Sequence, residues 1–75
     1  MSFREEREML ERFGCKDIVI DLLVNNYFIT FVYDNKEYKI EHILNVYGVD
    51  ADYWELLSFN KGSFNTLEEL LNHIK

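Results

Sequence analysis

Proline is absent from this 75-residue chain, cysteine occurs once, at Cys15, and glycine three times, at Gly14, Gly48 and Gly62. A single cysteine excludes an internal disulfide, so the fold needs no oxidising compartment and a cytoplasmic setting is the default expectation. With no second thiol nearby and no nucleophile-elbow pattern, Cys15 reads as a small buried hydrophobe. Isolated glycines exclude a phosphate-cradling loop, which needs several free backbone N–H groups in succession. Cys15, His42 and His73 are the whole supply of thiol and imidazole ligands. Their spacing matches no zinc motif, so no metal or cofactor is expected. No apolar run approaches the ~20 residues of a membrane span. The N-terminus alternates Arg and Glu and lacks the apolar stretch of a secretory signal.

Positive charge is also scarce. Eight Lys and Arg stand against 14 Asp and Glu, for a net charge of −6. Residues 1–16 sum to zero, 17–39 to −2 and 40–75 to −4. Direct nucleic-acid binding leaves a basic footprint, and this chain has none. Anionic membrane is disfavoured on the same ground. A protein partner with a basic surface is the class that acidity favours, through complementary steering.

What is present is apolar and aromatic material, 48% and 16% of residues. That is far from the composition of disordered chains. The aromatics can fill a core with few side chains. Residues 1–75 are therefore expected to form one small α+β domain: an N-terminal helix, a three-stranded antiparallel meander with room for a fourth strand, and a C-terminal helix.

The first helix is expected over 3–13. Ser2 and Glu5 have capping-box spacing, and Phe3, Met9, Leu10 and Phe13 share one side. Glu8 and Arg12 form an i,i+4 pair, and Gly14 suits a helix stop. The meander is read from three β-rich runs parted by Asn25-Asn26 and Asp34-Asn35, residues that tolerate the positive φ of two-residue turns. The first turn pairs Leu22 with Ile29 and Ile20 with Phe31. The second pairs Phe31 with Tyr38 and Ile29 with Ile40. Both give one apolar face: Ile18, Ile20, Leu22, Val24, Tyr27, Ile29, Phe31, Tyr33, Tyr38 and Ile40. The opposite face keeps Val19, Leu23, Phe28 and Val32, and is expected to be covered by residues 42–59 or buried in a homodimer. A helical reading of 17–25, capped by Asp17, is opposed by the β-branched run Ile18–Ile20.

Residues 42–47 read as a short helical turn ending near Gly48, followed by a strand over 53–59, with a helix capped by Asp52 as the alternative. The tripeptide Ser-Phe-Asn occurs twice, at 58–60 and 63–65. Asn60-Lys61-Gly62 is turn chemistry, so the first copy ends an element. The second leads into a helix with Thr66 and Glu69 as capping box and Leu67, Leu70, Leu71 and Ile74 as apolar stripe. Phe64 is expected against its first turn. The five-residue spacing fits no structural repeat.

A catalytic set would have to be drawn from Cys15 and His42 with Asp17 or Asp21. Nothing flanks them in support, and so small a chain has little room for a core and a ~300 Å³ pocket together. No enzyme activity is expected. Phe3, Phe13, Phe28, Phe31, Phe59 and Phe64 are assigned to the core. The segment around Asp50, Asp52, Tyr53, Trp54 and Glu55 is the candidate partner-binding site, because rigid aromatic anchors beside carboxylates have the composition of an interface hot spot. The rival reading places Trp54 in the core. Asp50, Asp52, Glu55, Glu68 and Glu69 could also imitate nucleic-acid phosphates in a basic groove. The Asn/Lys/Ile/Tyr-rich usage resembles that of short accessory proteins of AT-rich bacteria and their phages. Acidity, small size and aromatic richness together fit an inhibitor or regulator that occupies a basic surface of a protein, and the resemblance implies an anti-defence or antitoxin-like role. A self-associating structural or adaptor module is the alternative.

Overall fold

The computed structural model describes residues 3–75. Helix α1 (Arg4–Phe13) buries Leu10 completely and lays Phe3, Met9 and Phe13 against the same core. It stops at Gly14, whose φ of 104° is left-handed. There Gly14 N–H donates to Glu11 O and Cys15 N–H to Leu10 O, so the last carbonyls are satisfied. Ser2, the expected cap, lies outside the described residues. Glu8 is paired with Arg4 (2.9 Å) rather than with the expected Arg12.

Five strands follow: β1 (Lys16–Leu22), β2 (Tyr27–Tyr33), β3 (Lys36–Val46), β4 (Val49–Leu56) and β5 (Gly62–Phe64). They lie in one antiparallel sheet in sequence order. Helix α2 (Leu67–Ile74) closes the chain. The expected helix–meander–helix plan is present, with two more strands than the meander first read.

The β2–β3 hairpin matches expectation. Asp34 and Asn35 take φ of 52° and 62°, and Phe31 pairs with Tyr38 and Ile29 with Ile40. The β1–β2 connection differs. Asn25 and Asn26 do not adopt positive φ; the loop is Leu23–Asn26, closed by Leu23 N–H donating to Asn26 O at 2.9 Å. Leu22 therefore pairs with Tyr27 and Ile20 with Ile29. The reason lies in Asn26, whose Oδ1 accepts from Leu44 N (2.7 Å) and Asn45 N (3.1 Å), fastening the loop to β3. The register moves by two residues, and strand side chains alternate with a period of two. The assigned face survives for that reason. Its outer end does not: Leu22 and Val24 are exposed. Lower on β1, Asp17 and Ile18 together face Phe31, a bulge in which Asp17 takes φ of 53°.

Residues 42–47 are not a helical turn. β3 runs on to Val46 and turns through Tyr47 and Gly48, both left-handed at φ of 51° and 82°. Asn45 Oδ1 accepts from Gly48 N at 2.9 Å and holds that turn. The expected strand over 53–59 is β4, lying earlier at Val49–Leu56. Beyond it the first Ser-Phe-Asn leaves the sheet, with Phe59 at φ of 54° and Ser58 Oγ accepting from Lys39 N. The second copy begins as β5 and ends before α2. There Thr66 Oγ1 accepts from Glu69 N, and Glu69 Oε2 accepts from Asn65 N. Phe64 packs against the core that holds Leu67, Leu70 and Leu71, and its ring also meets His73 in the last turn of α2.

Both helices pack on the same sheet face, where Leu10, Leu67, Leu70 and Leu71 meet Tyr27, Ile29, Phe31, Ile40, Trp54 and Leu56. Residues 42–56 widen the sheet instead of covering its second face. Phe28 and Val32 are half-buried there and Val19 is exposed. Lys39 Nζ stands 4.4 Å above the Phe28 ring. Among the described residues no helix is long and apolar enough to cross a membrane.

The two asparagines of the β1–β2 loop are expected to differ sharply. Asn26→Ala should lose about 1–3 kcal/mol, because two backbone N–H groups lose their acceptor. Asn25→Ala should change stability by less than ~0.5 kcal/mol. Urea unfolding of the two variants checks this, and equal losses would point to the two-residue turn instead.

Candidate functional site

Strand alternation divides the five residues of the candidate site. Trp54 faces the helices, paired with His42 on one side and Phe64 on the other, and is 5% exposed. It belongs to the core and is no exposed anchor. Tyr53 pairs with Ile43 and Glu55 with Glu41 on the open face. Between Tyr53 and Asp50 the strand carries one extra residue, so Ala51 and Asp52 together oppose Leu44. Alternation keeps Asp52 on the helix side with Trp54, and the bulge shifts Asp50 to the other face, opposite Asn45.

On the helix side Asp52 ends a hydrogen-bonded chain. His42 Nε2 lies 2.7 Å from Asp52 Oδ1, and His42 Nδ1 lies 2.8 Å from the Tyr27 hydroxyl. A carboxylate only accepts, so Nε2–H donates to Asp52; the neutral ring then accepts at Nδ1 from Tyr27 O–H. The His42 ring is stacked on Trp54, 4.0 Å between centroids and 5° from parallel. Phe3 packs on Tyr27 at 4.5 Å. Exposure rises along the chain: Tyr27 is 3% exposed, the His42 side chain 13% and the Asp52 side chain 78%.

A cavity of about 230 Å³ opens beside this chain, where the start of α1, the β4 bulge and the start of α2 meet. Glu5, Glu6 and Asp52 line it, with Trp54, His42 and Met9 as its less polar wall, and no lysine or arginine among the described residues does. Glu6 Oε2 is buried there without a hydrogen-bond partner. Asp52 and Glu69 share the adjoining depression below β5. Carboxylates from three elements thus converge on one corner. On the open face a second like-charge pair, Glu41 and Glu55, sits directly opposed. Burial, and then Glu55, push the Glu41 carboxyl up, against the opposing pull of Asn26 and Lys39.

An Asp–His–Tyr chain has the connectivity of a nucleophile, base and orienting group. Its electrostatics run the other way. Burial raises the Tyr27 phenol, and the nearby Glu6 and Asp52 raise it further, so the hydroxyl is held as a donor. Cys15, Asp17 and Asp21 do not join His42. Cys15 sits below the first turn of β1, at the end of the sheet where Lys16 pairs with Val32, while His42 pairs with Tyr27 at the other end. Cys15 is buried, which pushes its thiol up to about 11 and leaves no thiolate at neutral pH. Among the described residues no group of three or more His, Cys, Asp or Glu is placed to hold a metal ion.

Of the aromatics assigned to the core, Phe31 is fully buried and Phe3, Phe13 and Phe64 are half-buried around it. Phe28 lies on the open face, and Phe59 is exposed against Tyr38. Tyr47 is fully exposed at its hairpin tip. Tyr27, Glu5 and Glu6 were missed as members of the corner. Extending β3 through His42 would have set His42 opposite Tyr27 by register alone. No family model, no curated protein and no solved structure matches this chain.

The raised Cys15 thiol has a consequence with a definite sign. The folded protein holds that proton more tightly than the unfolded chain, so its share of stability is complete below pH 9 and is lost as pH rises towards 11. Urea midpoints should fall over that interval in the native protein and fall less in Cys15→Ala. Equal slopes in the two proteins would show that Cys15 is not protonated and buried as described.

Proposed function

We propose that this protein is a non-enzymatic binding module that docks on a basic surface of another protein through the acidic corner around Asp52, as an inhibitor or regulator. The observation that carries the reading is the convergence of Glu5, Glu6 and Asp52 on one cavity with no lysine or arginine in its described lining. Like charges brought together cost folding energy unless something relieves them. Glu6 Oε2, buried and without a partner, is the sharpest case. A lysine or arginine side chain entering the cavity would neutralise the cluster and lie against the wall of Trp54 and His42. The net charge of −6 extends the same preference over the whole surface.

The roles follow from position. Glu5, Glu6 and Asp52 receive the cation, with Glu69 beside them. His42 positions Asp52, and Tyr27 positions His42. Asp50, Tyr53 and Glu55 lie on the other face of β4 and belong to the partner surface only if the partner wraps the strand edge. Anti-defence inhibitors and antitoxin-like neutralisers are both proteins of this kind, and either role suits the module.

Affinity capture from host extract, at low and at moderate salt, tests the reading. A single stoichiometric basic protein, released by salt, is expected on the native chain. Glu5→Lys combined with Asp52→Lys should weaken its binding by about tenfold or more. Glu37→Lys, on the open face near the β2–β3 turn, should leave it within about twofold. A partner whose binding is indifferent to the double reversal would overturn the assignment.

A further inference from the structure

β1 is an edge strand, since the sheet order begins with it. The other edge, β5, has only three residues. An edge strand presents a row of unpaired backbone groups that a second strand can complete. Val19 and Leu22 add exposed apolar surface to that edge, at 52% and 68% exposure. Between β1 and α1 runs a groove of about 520 Å³, walled by Arg4, Arg7, Glu8 and Glu11 over Ile20 and Leu22.

The order of those four charges decides what fits. Along α1 the basic pair Arg4 and Arg7 precedes the acidic pair Glu8 and Glu11. Within one helix Arg4 already holds Glu8 at 2.9 Å; an antiparallel copy of the same helix adds Arg7 against the partner's Glu8 and brings the partner's Glu11 beside Arg4. A two-fold interface needs this kind of self-complementary surface. Elsewhere two copies repel, because each carries −6; residues 1–16, which sum to zero, are the stretch where they need not.

We propose that two copies of this chain pair antiparallel through their β1 strands, about a two-fold axis normal to the sheet, with the two α1 helices side by side and antiparallel. One axis serves both layers. Phe3 packs on Tyr27, the β2 partner of Leu22, so the start of α1 lies over the end of β1. With rises of about 1.5 Å per helical and about 3.3 Å per strand residue, the midpoint between Arg7 and Glu8 lies about 7 Å from Phe3. Two strand residues below Leu22 is the same distance, and that residue is Ile20. Ile20 is also the centre of the run Ile18–Leu22, above the Asp17 bulge that ends regular pairing. The paired sheets form one sheet of ten strands with all four helices on the same side. Asp52 stays outside this contact, because β4 is three strands away from β1.

Sedimentation equilibrium at micromolar concentrations tests the pairing, with far-UV circular dichroism and urea midpoints confirming that each variant folds. The native chain should be dimeric. Arg7→Glu alone and Glu8→Arg alone should each weaken association by roughly tenfold or more. Arg7→Glu combined with Glu8→Arg should restore it, because the swapped charges meet again across the axis. A native monomer throughout that range, a dimer indifferent to the single reversals, or a swap that does not restore association would each overturn the proposal.

Discussion

The pairing of β2 with β3 is the constraint from which the rest follows. Two left-handed residues, Asp34 and Asn35, make the turn, and a two-residue turn leaves the strands no choice of register. That register sets Phe31 against Tyr38 and Ile29 against Ile40, the centre of the core, and carries Tyr27 opposite His42 at the far end. The helices then have one apolar face to cover. The Tyr27–His42–Asp52 chain is a product of the same register, completed from the other side by Asp52, which alternation places on the Trp54 face of β4 two residues before it.

The chain satisfies its polar groups unevenly. Backbone donors at risk are provided for: Asn26 serves Leu44 and Asn45, Asn45 serves Gly48, and Thr66 serves Glu69. Two carboxylates are provided for less well. Glu6 is left with a buried, unpartnered oxygen, and Glu41 faces Glu55 across the sheet. In a protein that clamps three of its turns with side chains, uncompensated negative charge stands out as a local rule that is broken. Such breaks are expected where a molecule meets something else. The stripe of Arg4, Arg7, Glu8 and Glu11 contrasts with this, since it balances its own charge.

The sequence made the helices and the central hairpin legible because their signals are local. Gly14 and Thr66 cap as their types suggest, and Asp34-Asn35 turns as its type suggests. Asn25-Asn26 looks like the same signal and is not, because Asn26 spends its side chain on a strand 18 residues away in sequence. Its long-range bond outweighs its turn preference. Residues 42–47 failed differently: Ile43, Leu44 and Tyr47 have helical spacing by chance, while Tyr47-Gly48 is an unmarked turn in which a bulky residue takes positive φ. Of the candidate site, Asp52 was legible as a carboxylate near aromatics. Alternation alone divides Tyr53, Trp54 and Glu55 between two faces; the face of Asp50 was not legible, because a bulge has no composition of its own. The corner itself joins residues 5–6 to residue 52 and residue 69, a proximity that only the packing of both helices on one sheet face creates.

The strand order bears on how such a chain acquires its shape. Each strand lies beside the one made just before it, so every ladder closes over a short length of chain. Loop-closure entropy is small at each step, and low contact order goes with fast folding. Absence of proline removes the slow isomerisation that delays many small domains. The sheet can grow hairpin by hairpin from the N-terminal end as synthesis proceeds. Its widest apolar face is finished only when the last eight-residue helix, α2, arrives to cover it.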